Sequence, residues 1–66
     1  MGIKERRERE KDNLRQAILD AAGELFVNEG FENVSIRKIA HKIEYSATTI
    51  YIYFKDKKDI FDLMSH

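Results

Sequence analysis

A small all-α bundle carrying a helix-turn-helix is the fold predicted by these 66 residues. Three observations predict it. Leu14, Ala17, Ile18, Ala21, Ala22, Leu25 and Phe26 form an unbroken apolar stripe at helical spacing. Ser35, Ser46 and Asp56 each stand one residue ahead of a further helical pattern, as N-caps do. The second and third patterns are joined by only three residues, the outline of a helix-turn-helix. The expected architecture is three helices plus the start of a fourth.

Residues 1–13 come first. They are nearly all charged, with no apolar residue between Ile3 and Leu14. Lys, Arg and Glu are good helix formers, but the segment has no stripe to pack. It is expected to be a frayed or disordered arm, and the folded domain is expected to span 14–66.

The first helix starts at Leu14, with Arg15, Gln16, Asp20 and Glu24 opposite its apolar stripe. Gly30 suits a C′ residue of left-handed conformation, so the helix is expected to end at Asn28 or Glu29. Phe31 then folds back onto the apolar face. Ser35 caps helix two, 36–43, with Val34 and Ile39 spaced as a hydrophobic staple. Its stripe is Ile36, Ile39, Ala40 and Ile43.

The stretch TTIYIYF, 48–54, has strand-like composition: β-branched and aromatic residues with a period of two. No second strand is available to pair with it, and a lone edge is costly. As a helix it has Ser46 for a cap, Tyr45 and Ile50 for a staple, and Ile50 and Phe54 as an inward i, i+4 pair. Helix three is therefore placed at 47–53. Asp56 caps helix four, with Asp59 at N3 favoured by the helix dipole. Helix four begins at Lys57 and carries Ile60, Phe61, Leu63 and Met64.

Composition narrows the function classes. A chain this short is one domain at most and buries only about 60% of its unfolded surface. With no cysteine there is no disulfide and no Cys-based zinc site. His41 and His66 have no metal-ligand spacing with any carboxylate, and no nucleophile–base pair or paired carboxylates stand out. No enzyme, cofactor or metal site is expected. No apolar run approaches the roughly 20 residues of a membrane span, and the charged N-terminus has no signal-like apolar region behind it. The expected setting is intracellular and soluble.

The net charge of zero hides an asymmetry. Residues 16–34 carry four acids and no base, whereas 35–58 carry six bases against two acids. A basic block of this kind is the footprint an anionic partner needs, and it is also common on solvated surfaces.

The segment SIRKIAHKIEYSATTIYIYFKDKKDIFDLM resembles the N-terminal DNA-binding domain of TetR-type transcriptional regulators, a homeodomain-like fold. The likeness is carried by LFVNEGFENVS, by Ser35-Ile36-Arg37-Lys38-Ile39-Ala40, by Ile50-Tyr51-Ile52-Tyr53-Phe54 and by Lys57. It spans residues 14–64. One departure stands in the turn. The family usually has Gly-Val-Ser there; this chain has Glu44-Tyr45-Ser46. Glycine tolerates a positive φ, whereas Glu44 would bear it at roughly 1 kcal/mol or more.

The resemblance implies that double-stranded DNA is the partner and that helix three enters the major groove. A helix approaching base edges needs small side chains near its N-terminus; Ser46, Ala47 and Thr48 fit. The methyls of Ala47 and Thr48 suit a thymine methyl. Phosphates call for hydroxyls and cations. Thr49, Tyr51 and Tyr53 supply hydroxyls, and Lys57 supplies charge at a helix N-terminus. By resemblance, Thr49, Tyr51, Tyr53 and Lys57 take phosphate-contacting positions, Ser35 caps helix two while touching a phosphate, and Arg37 reads a base or holds a phosphate. Lys38, Lys42 and His41 are expected to be solvated surface residues, and Lys4, Arg6, Arg7 and Arg9 a solvated tail. Further expectations follow from the resemblance. The full-length protein is a homodimeric repressor on a palindromic operator. A larger C-terminal domain, missing here, holds the dimer and binds a small-molecule inducer. The protein is cytoplasmic, associated with the nucleoid when bound. The present chain is a fragment or part of a longer one, monomeric and weakly DNA-binding alone. The alternative is a small protein-interaction module using a face of Tyr45, Tyr51, Tyr53 and Phe54.

Overall fold

The computed structural model describes the backbone of residues 3–65 and the side chains of residues 12–65. Helix α1, Ile3–Glu29, is 27 residues long and continues back through the charged segment expected to be a frayed arm. Two sequence properties favour that continuation. Lys, Arg and Glu have high helix propensity, and Lys4/Glu8, Glu5/Arg9 and Arg6/Glu10 are opposite charges at i, i+4. At about 1.5 Å per residue this helix accounts for the longest dimension of the molecule, 42 Å.

After α1 come a single 3₁₀ turn, Phe31–Asn33, then α2 (Ile36–Lys42), α3 (Ala47–Tyr53) and α4 (Lys57–Met64). No strand occurs among the described residues. The all-α class and the helix-turn-helix outline are thus as the sequence predicts. Helix α3 has the predicted bounds, and α2 stops one residue short because Ile43 has left helical geometry.

Each predicted cap is made by its side chain. Ser35 accepts from the Lys38 amide at 3.2 Å, Ser46 from the Thr49 amide at 3.3 Å, and Asp56 from the Asp59 amide at 2.8 Å. Asp59 returns a bond of its own, accepting from the Lys55 amide at 3.1 Å. That nearly closes a capping box, one residue early. At the end of α1, Gly30 departs from expectation. Its φ of 86° is positive, but its ψ of 145° is extended rather than left-handed helical. The chain therefore leaves α1 directly into the 3₁₀ turn. The Asn33 side chain donates to the Glu29 carbonyl at 2.9 Å, satisfying an orphan acceptor of the helix end.

The core takes one fully buried isoleucine from every helix: Ile18, Ile39, Ile50 and Ile60. Full burial of such a side chain is worth about 1.5–3 kcal/mol. Ala21, Ala22, Val34, Ile36, Ala40 and Phe54 complete it. Helix α1 packs on both α2 and α4, and α2 packs on α3. Helix α3 is thus held to the bundle by Ile50 and Phe54, the inward pair predicted, while its other side faces solvent. Phe26, Phe31 and Phe61 form a second cluster, with ring centroids 5.1–5.7 Å apart.

Candidate nucleic-acid interface

The turn between α2 and α3 decides how the two helices sit. The Tyr45 amide donates to the Ala40 carbonyl at 2.9 Å, and the Glu44 amide to the His41 carbonyl at 3.2 Å. This pair of bonds defines a Schellman motif. Its C′ position demands a positive φ, and Glu44 occupies it with φ 63°. Glu44 is the single non-glycine residue of positive φ among those described. The turn thus takes a positive φ without a glycine, and the strain is carried by a glutamate.

On the solvent side of this turn lies an open cleft lined by Arg37, Ala40, His41, Tyr45, Ala47 and Thr48. Three of the four residues expected to contact bases meet there: Arg37 from α2, and Ala47 and Thr48 from α3. Ser46, the fourth, is exposed, but its oxygen is engaged. It caps α3 and shares a 3.0 Å hydrogen bond with the Thr49 hydroxyl. The Ser35 hydroxyl is likewise exposed and engaged as a cap.

The residues expected at phosphates divide. Tyr51 stands out from α3, 55% exposed. Thr49 and Tyr53 are half-buried, and Tyr53 packs against the core. Lys57 is turned inward. Its ammonium donates to the Phe31 carbonyl at 2.7 Å and the Val34 carbonyl at 3.0 Å. Two of its three donors are thus committed within the chain. Arg15 approaches the Phe54 ring at 6.0 Å to the centroid.

Charge is redistributed by folding. The acidic block of α1 faces the basic block of α2: Lys38 pairs with Glu29, and Lys42 with Glu24 at 3.6 Å. These lysines were expected to be solvated; they are partly exposed, but each has an acidic partner across the helix interface. Arg37 is in no ion pair among the described residues, so its guanidinium is available at the cleft.

His41, expected as a solvated surface residue, and Tyr45, expected as a staple or as part of an aromatic docking face, also line the cleft, a DNA-facing role the sequence does not assign to either. His41 follows Arg37 at i+4 and so shares its face, which spacing alone could have shown. Tyr45 is 52% exposed, more than its staple spacing with Ile50 suggests and in keeping with the exposed aromatic position of the alternative reading. Ile52 is 75% exposed. No group of three or more His, Asp or Glu among the described residues is placed to hold a metal ion. No helix among them is long and apolar enough to cross a membrane.

The chain is 44% identical over 50 residues to HTH-type transcriptional regulators of Staphylococcus aureus strains USA300, NCTC 8325 and COL. The match covers 76% of this chain and 26% of each relative, so the chain spans about a quarter of their length. The family described as bacterial regulatory proteins, tetR family, matches residues 18–64. That range holds the end of α1, the whole helix-turn-helix and α4. The chain belongs to the tetR family of bacterial regulatory proteins.

Proposed function

We propose that this chain is the sequence-specific DNA-binding domain of a transcriptional regulator, with α3 seated in the major groove. The observation that carries this reading is the α2–α3 cleft, where Arg37, Ala47 and Thr48 stand together on the solvent side. A recognition helix needs small residues at its start and an arginine within reach of base edges. Tyr51, Thr49, Tyr53, Ser35 and Lys57 then flank that helix as phosphate contacts, Lys57 with its one remaining donor.

At the level of the whole protein, the proposal is a ligand-responsive, cytoplasmic repressor that binds a palindromic operator as a dimer. Dimer contacts and the inducer site belong to sequence beyond the quarter that this chain spans in its relatives. Family membership and the relatives' description as transcriptional regulators support this. The competing protein-docking reading loses much of its basis, because Phe54 is buried and Tyr53 half-buried, leaving no continuous face of four rings.

Selection of bound duplexes from a random DNA pool tests the proposal. Recovery of a common sequence is expected, and Arg37→Ala should relax the preference at one position. A pool that stays random after repeated rounds at low salt contradicts it.

A further inference from the structure

We infer that Ile52 reads a thymine methyl group, and so sets part of the base preference. The inference deepens the DNA-binding reading above and rests on it.

Helix α3 turns about 100° per residue, so the residues two before and two after Ile50 point away from the bundle. Ile50 is fully buried. Those two residues are Thr48 and Ile52, an i, i+4 pair on the outward ridge. Thr48 lines the cleft and is exposed; Ile52 is 75% exposed. Along the axis they stand roughly 6 Å apart, close to two base-pair steps of about 3.4 Å.

An outward isoleucine is an odd choice here on two counts. Its apolar surface gains nothing within the chain, and a β-branched residue is a poorer helix former than the Lys, Gln or Glu suited to exposed positions. Both disadvantages vanish if Ile52 meets apolar surface when the helix docks. In a major groove the apolar feature on the base edges is the C5 methyl of thymine. Ile52 offers no donor or acceptor, so every other base edge it meets would be left without a hydrogen-bond partner.

The test uses this chain and its Ile52→Ala variant, titrated against the duplex recovered by selection. Each thymine is replaced in turn by uracil, which lacks only that methyl. Alanine is the better helix former at an exposed site, so the variant should fold, and circular dichroism checks this. At one position, uracil should weaken the wild-type chain about fourfold, the worth of a methyl-sized apolar contact, and leave Ile52→Ala unaffected. Equal uracil effects on both proteins at every position overturn the inference, and equal affinity of both for the thymine duplex does so too. Failure of the wild-type chain to bind any duplex overturns the DNA-binding reading as well.

Discussion

The Lys57 ammonium sits 4.3 Å from the centroid of the Phe31 ring and donates to the carbonyl of the same residue. One side chain at the start of α4 thereby holds the connection between α1 and α2. It adds a cation–π contact to two hydrogen bonds, at Phe31 and Val34. The lysine expected to meet a phosphate has a structural task first.

Lys57→Met should therefore lose stability as well as charge. The Val34 carbonyl would lose its donor in a partly buried site and the Phe31 carbonyl would keep only the Val34 amide, a loss of about 1–2 kcal/mol. Urea denaturation measures this. Lys57→Met should also lower affinity for all DNA sequences alike, since a phosphate contact carries no base information. Unchanged stability would show that the inward contacts contribute nothing.

Glu44→Gly should stabilise the domain. The C′ position holds φ 63°, which an L-residue bears at roughly 1–2 kcal/mol, while glycine's extra freedom in the unfolded chain offsets part of the gain. A net gain of about 0.5–1 kcal/mol is expected, a rise in melting temperature of a few degrees for a domain this size. Glu44→Ala keeps the strain and should change little. A destabilised glycine variant would mean that the Glu44 side chain contributes something beyond the turn.

Ser46→Ala should remove the cap of α3 at about 1 kcal/mol, whereas Ser46→Gly should lose only a few tenths. Asp56→Ala should behave similarly at α4, since its carboxylate accepts from the Asp59 amide. Thermal melts of the three variants distinguish caps from passive surface residues.

Gly23→Ala asks how closely α4 is held to α1. A Cβ at Gly23 would lie 2.7 Å from the Met64 terminal methyl, which belongs to a flexible side chain that is 42% exposed. The methyl should move aside, leaving the gain of about 0.8–1 kcal/mol that alanine brings to a helix interior. A less stable variant would show Met64 to be locked in place.

Local signals made most of the fold legible. Ser35, Ser46 and Asp56 gave helix starts because a cap is a relation between neighbours in sequence. Ile50 and Phe54 resolved the strand-like composition of 48–54, since packing outweighs propensity in a seven-residue helix. What escaped were relations across the fold. Lys57 reaches back to residues 31 and 34, and Lys38 and Lys42 find Glu29 and Glu24 on another helix. No spacing rule joins such positions. Gly30 was read correctly as a helix end but with the wrong ψ, because the following 3₁₀ turn sets its direction. At the candidate site, residue types on α3 pointed to base and phosphate roles, but the cleft that gathers Arg37, His41 and Tyr45 beside Thr48 exists only once α2 and α3 are packed.

The central claim is that α3 and its flanks engage duplex DNA through phosphates and base edges. The most direct measurement is the affinity of this chain for its selected duplex as a function of salt. The account predicts that log K falls linearly with log salt, by about 0.9 per neutralised phosphate. Tyr51→Phe should weaken binding to every duplex with little change in that slope, because a phenol contributes no charge. An affinity indifferent to salt, or equal for the selected duplex and a scrambled one, would contradict the account.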